Sequence, residues 1–138
     1  MAYEKFVFVC QKDIPYPDTI SAEILDVKKE IYFPWTTEFE MWHDYWFGLQ
    51  GKPAITVDTI VIIEQFLLYN DYWMIMPVSI LSHFCKFDQF RICEIEQTIT
   101  PRTTYIARNT KMVNRYHDEI MEIIQDVVNG LDGFTPIK

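Results

Sequence analysis

Between Ala54 and Pro77 the apolar positions fall into three groups, and the rest of the chain reads as built around them. Residues 54–57 are a short β-forming run. Residues 59–69 carry Ile60, Val61, Ile62, Ile63, Phe66, Leu67 and Leu68 on nearly every side of a helical wheel, the pattern of a helix covered on both faces. Residues 72–76 form a second strand. Asp58 stands where its carboxylate caps the first turn of the helix, and Asn70 where a left-handed residue ends it. Pro77 closes the second strand and starts a short helical stretch, Val78–His83. Strand, helix and strand make a βαβ unit, which implies parallel strands and a right-handed crossover.

On either side the pattern continues. Residues 5–10 (KFVFVC) show no polar alternation and predict a buried strand. Pro15 and Pro17 make 12–19 a loop, and Ser21 caps a helical turn over 21–25. A strand over 30–33 is broken by Pro34. A helix over 37–47 follows, opened by a capping box of Thr37 with Glu40, and Phe39, Trp42, Tyr45, Trp46 and Leu49 share one side of it. Gly48, Gly51 and Pro53 end that segment. Two further strands, over 90–95 and 103–107, flank a turn at Pro101. The last helix is expected over 111–129, with Val113, Tyr116, Ile120, Ile123, Ile124, Val127 and Leu131 at helical spacing and Gly130 at its end. This alternation indicates an α/β fold: a mostly parallel, twisted sheet covered by helices in three layers.

Composition narrows the function. A chain of 138 residues suits one domain, and 49% hydrophobic with 16% aromatic residues marks a folded one. A formal charge of −8 argues against direct nucleic-acid binding, which calls for a basic face. Glu64 and Gln65 interrupt the longest apolar run, so no membrane span is expected, and the first residues lack the apolar core of a signal peptide. Three cysteines without a CxxC pair fit a reducing, cytoplasmic setting.

Catalytic patterns are absent. His43, His83 and His117 lie in different segments, and no nucleophile, Walker or dinucleotide motif occurs. His83 and Cys85 could share a metal, but a structural zinc site normally needs four ligands. Glu119, Glu122 and Asp126 read as the solvated face of the last helix. No enzyme, cofactor or metal is expected.

Ligands of open α/β sheets settle at the carboxyl ends of strands. Two loops answer that description, Pro34-Trp35-Thr36-Thr37 and the turn containing Asn70 and Tyr72. The first joins an aromatic ring and two hydroxyls to a helix N-terminus, whose free amides suit a carboxylate or other small anion. The plainer alternative is that Thr37 caps and Trp35 packs.

The chain resembles the C-terminal part of the effector-binding domain of LysR-type transcriptional regulators. The resemblance is carried by 6–10, 20–25, 31–33 with the helix after it, and 54–77 with Met76-Pro77 in the place of a Leu-Pro pair. Arg102-Thr103-Thr104-Tyr105 and the terminal helix complete it. Asn70 and Tyr72 stand where the family usually has glycines. The resemblance implies a type 2 periplasmic-binding-protein-like fold, in which two lobes joined by crossing strands close on a small effector. It places 12–101 in the second lobe, 5–10 and 103–107 in the crossing strands and 111–131 in the terminal helix. It further implies a non-enzymatic sensor without the DNA-binding domain, one that associates into homo-oligomers. A solute-binding-like fragment and a ligand-free dimerisation module are the other readings.

Overall fold

The structure is a computed structural model that describes residues 2–105, 107 and 116–136. Its elements in chain order are β1 (Ala2–Glu4), β2 (Phe6–Gln11), β3 (Thr19–Ile20), β4 (Ile31–Tyr32), α1 (Thr37–Phe47), β5 (Ile55–Thr56), α2 (Ile63–Tyr69), β6 (Trp73–Pro77), β7 (Phe90–Ile95), β8 (Arg102–Thr104), α3 (His117–Asn129) and β9 (Phe134–Pro136). Short 3₁₀ turns occupy Ala22–Ile24, Val27–Lys29, Ile60–Ile62, Val78–His83 and Phe87–Gln89.

The run FVFVCQ becomes β2, the strand on which both halves of the core meet. Phe6, Phe8 and Cys10 face one apolar cluster, with Phe39 and Phe47 of α1. Val7 and Val9 face the other, with Ile63 and Leu67 of α2. A strand buried on both faces has no polar side to alternate, which is why its pattern is continuous. Helix, sheet and helix form three layers around it.

The sheet is mixed rather than mostly parallel. β2 is antiparallel to both neighbours, with Phe8 opposite Ile75 of β6 and Cys93 of β7. Among the described residues parallel pairing is confined to β3 with β7, β4 with β5, and a bridge between Glu30 and Trp73. The strand order is β3-β7-β2-β6, and the Glu30 bridge continues it through β4 to β5. β4 therefore lies between the two strands of the 54–77 unit. An apolar run has no direction of its own, so the reversal of β2 left no mark in the pattern.

Three details of the central unit differ from expectation. Neither Ile60–Ile62 nor α2 has a side-chain cap, so Asp58 does not serve as one. Only Ile63 and Leu67 of α2 are buried, while Gln65 and Tyr69 of α2, and Val61 in the turn before it, are exposed; one face of the segment is open. Asn70 is extended (φ −147°, ψ −174°) rather than left-handed. Pro77 ends β6 and leads into Val78–His83 as expected, and Ser21 caps its turn by accepting from the Glu23 amide at 3.3 Å.

A second, antiparallel sheet of order β8-β1-β9 stands beside the first. Lys5 alone separates β1 from β2, so one run of chain passes from the small sheet into the large one. Of the expected terminal helix, 111–115 and with them Val113 lie outside the described residues, as does Ile106 of the expected strand. The remainder is α3, along which Ile120, Ile123 and Val127 are exposed. Gly130 ends it, its amide donating to the carbonyls of Asp126 and Val127 at 3.1 Å. Gly133 follows at φ +83°, and a Cβ there would lie 2.3 Å from Cγ1 of Val78. No helix among the described residues is long and apolar enough to cross a membrane.

Candidate functional site

The loop after β4 is held by its own aromatic. Phe33 and Trp35 stack with ring centroids 4.3 Å apart, and the Trp35 amide donates to the Phe33 carbonyl at 2.9 Å. Nε1 of Trp35 donates to the Ile75 carbonyl of β6 at 2.9 Å, which fixes the loop to the sheet. Thr36 then caps α1: its Oγ1 accepts from the Phe39 amide at 3.0 Å and its carbonyl from Glu40. The cap is one residue earlier than the Thr37–Glu40 box. Two adjacent threonines offer the same hydroxyl chemistry, and only the chain's entry angle decides between them.

Pro34 and Thr37 are exposed, while Trp35 and Thr36 are half-buried. The amides of Thr37 and Glu38 make no hydrogen bond among the described residues. They are two of the donors a helix start leaves open. Glu38 and Glu40 stand in the same first turn and partly satisfy its positive end.

The turn with Asn70 and Tyr72 lies elsewhere. It precedes β6, whereas Pro34–Thr37 follows β4, and the Glu30–Trp73 bridge sets these strands parallel. The two loops are thus at opposite ends of the sheet, separated by the length of β6, about 13 Å at strand rise. In that turn Gln11 Nε2 donates to the carbonyls of Leu67 and Asn70 at 3.0 and 2.7 Å, and Lys29 pairs with Asp71 at 2.5 Å. Asn70 and Tyr72 cannot share one small ligand with Pro34–Thr37.

What does share the Pro34–Thr37 end is the small sheet, because Phe6 at the start of β2 faces Pro77 at the end of β6. Glu4 is wholly buried there. Its Oε1 accepts from the Ser79 amide at 2.6 Å, and its Oε2 from Nε and Nη2 of Arg102 at 2.7 and 2.5 Å. Nη2 also donates to Ser79 Oγ at 3.1 Å. At the same end Gln97 ties β7 to the turn after β3, accepting from the Ala22 amide at 2.7 Å and donating to Ser21 Oγ at 3.0 Å. Lys5, Phe6, Gln97 and Ile99 help line a cavity of about 220 Å3. None of these was singled out in the sequence as a functional residue; a lone carboxylate in the apolar-aromatic run AYEKFVF was the available signal for Glu4.

The other buried carboxylate among the described residues is Glu30, whose Oε1 lies 2.5 Å from Nε2 of His43 on α1. Burial pushes the Glu30 carboxyl above its usual range, and His43 partly opposes that. Among the described residues no group of three or more potential ligands could hold a metal.

No protein-family model matches the chain. No curated protein matches it either. Solved structures do. The reduced form of the OxyR regulatory domain from Pseudomonas aeruginosa superposes with a TM-score of 0.54 at 12% identity, over 73% of this chain and 53% of that one. The probable transcriptional regulator PA0477 from Pseudomonas aeruginosa gives 0.52 at 13% identity, over 73% and 37%. The chain thus has the fold of a regulatory domain of this kind and spans about half, or less, of those proteins' length.

Proposed function

We propose that the chain is the effector-binding part of a LysR-type transcriptional regulator, a non-enzymatic sensor that takes a small anionic molecule at the Pro34–Thr37 loop. One observation carries the reading. The open amides of Thr37 and Glu38 and the ring of Trp35 stand at the same end of the sheet as the strand crossing into the small sheet. The shared fold of the two regulators and the LysR-like order of motifs support it. In this reading 12–101 form one lobe, 5–10 and 103–107 cross between lobes, and the segment from 111 to 131 returns to the other. A ligand held from both sides stabilises closure only by its differential affinity for the closed state. DNA is contacted by another part of the regulator, not by this chain with its charge of −8.

Calorimetric titration with citrate, succinate, benzoate and sulfate tests it, on the parent, Thr37→Val and Thr36→Val. A charge-assisted hydrogen bond contributes about 1.5–3 kcal/mol, so Thr37→Val should bind roughly tenfold or more weakly at unchanged stability. Thr36→Val removes the cap and should cost about 1 kcal/mol of stability. Equal affinity of parent and Thr37→Val for every anion bound would remove this loop from the site. The exposed stripe of α3 favours self-association of the isolated chain, which also serves a pure dimerisation module. A module of that kind would associate and bind none of the four anions.

A further inference from the structure

A second cavity, of about 500 Å3, opens between the C-terminal half of α1 and the β4–β5 edge, and no residue of the Pro34–Thr37 loop lines it. Its size is in the roughly 300–1,000 Å3 range of small-molecule sites. Tyr32, His43, Asp44, Phe47, Lys52 and Thr56 are among its walls. Polar and aromatic residues both contribute to its walls.

His43 is the informative residue. It is 7% exposed, and its Nε2 is engaged by a carboxylate that is itself 1% exposed. The Nε2···Oε1 contact fits a neutral ring donating Nε2–H to the Glu30 carboxylate, the tautomer that leaves Nδ1 as an acceptor. No hydrogen bond reaches Nδ1 among the described residues. Nor is it one of the fully enclosed unpartnered atoms, which are Oε2 of Glu30 and Nε1 of Trp42. The open part of His43 is therefore its cavity side. A buried carboxylate behind an imidazole fixes the ring's tautomer and orientation, which is the arrangement of a ring set to meet a third group. Beside it, Asp44 and Lys52 carry opposite charges, are exposed, and make no ion pair with each other or with other described residues.

We propose that this cavity binds a small zwitterion of the α-amino-acid class, seating its ammonium between Asp44 and Nδ1 of His43, its carboxylate at Lys52 and its body against Tyr32 and Phe47. The site is separate from the anion site proposed above and does not depend on it. A single charge on the ligand satisfies one seat and leaves the other facing nothing, so selectivity for the zwitterion over either singly charged analogue is its signature.

The chain has three histidines, so imidazole nitrogen NMR resolves the site directly. L-phenylalanine, phenylacetate and phenethylamine share an aryl body and differ in charge. L-phenylalanine should move the Nδ1 resonance of His43, leave those of His83 and His117 in place, and bind roughly tenfold or more tightly than either analogue. Lys52→Ala and Asp44→Ala alter exposed side chains and leave the core intact, and each should lose roughly tenfold or more in affinity. No movement of His43 with any of the three, equal affinity for phenylacetate or phenethylamine, or indifference to both substitutions would each overturn the proposal.

Discussion

Replacing Arg102 by Met isolates the contact that ties the small sheet to the large one. Glu4 is wholly enclosed and holds three donors, two of them from Arg102. Without the guanidinium, a buried carboxylate keeps only the Ser79 amide. Breaking a buried pair from one side costs about 3–5 kcal/mol, because the remaining charge is uncompensated. The Arg102 side chain is 32% exposed, so water can reach the gap, and the lower figure of about 3 kcal/mol applies. Against a domain stability of about 5–15 kcal/mol that is a large fraction. Urea unfolding should show it as a shift of midpoint at constant slope. Glu4→Leu combined with Arg102→Met removes both charges, and an apolar replacement of a whole buried pair is often nearly neutral. The double variant should therefore be more stable than Arg102→Met alone. A loss below about 1 kcal/mol in Arg102→Met, the range of an exposed pair, would refute the assignment of Glu4 as a buried anchor. So would a double variant less stable than the single one.

Three further outcomes follow from burial and backbone geometry. Burial, with Cys93 beside it, pushes the Cys10 thiol up to about 12, while Cys85 is exposed. At pH 8 only about one Cys10 in 10⁴ is thiolate, so iodoacetamide should label Cys85 alone in the folded protein by mass spectrometry, and Cys10 should react only as pH approaches its raised value. Gly133→Ala forces a side chain into a left-handed position against Val78 and should cost about 1–2 kcal/mol or more in a thermal melt, part of it recovered by Val78→Ala. Sedimentation should show a dimer or larger species held by the apolar stripe of α3, and Ile123→Glu, at a residue 63% exposed, should shift it toward monomer.

How much of this was legible in the sequence differs from element to element. The continuous run of β2 marks a strand with no solvent face. The side of α1 read from Phe39, Trp42, Tyr45, Trp46 and Leu49 is only partly the buried one: Phe39 is buried together with His43 and Phe47, whereas Tyr45 and Leu49 are exposed. Strand direction is set by which neighbours pair, so the reversal of β2 and the insertion of β4 between β5 and β6 left no local trace. β1 and β9 have three residues each, too few to show a period, and they are strands through hydrogen bonds to distant segments, β1 with β8 and β9, and β9 with β1. Within the site, the loop itself was readable from Pro34 and the threonines. Its partition was not: the first hydroxyl caps, the second stays free, and Trp35 spends its N–H on Ile75. Asn70 could be placed at a turn by residue type, but its position at the end of the sheet opposite Pro34–Thr37 follows only from the parallel register of Glu30 with Trp73.

The central claim is that a small anion binds where α1 begins, and backbone amide NMR tests it most directly. Titration with the anion that binds most tightly should move the Thr37 and Glu38 amides and the Trp35 indole N–H first and furthest, with the Asn70 and Tyr72 amides unchanged. Shifts centred on Asn70 to Tyr72, or binding that leaves the Thr37 and Glu38 amides in place, would contradict it.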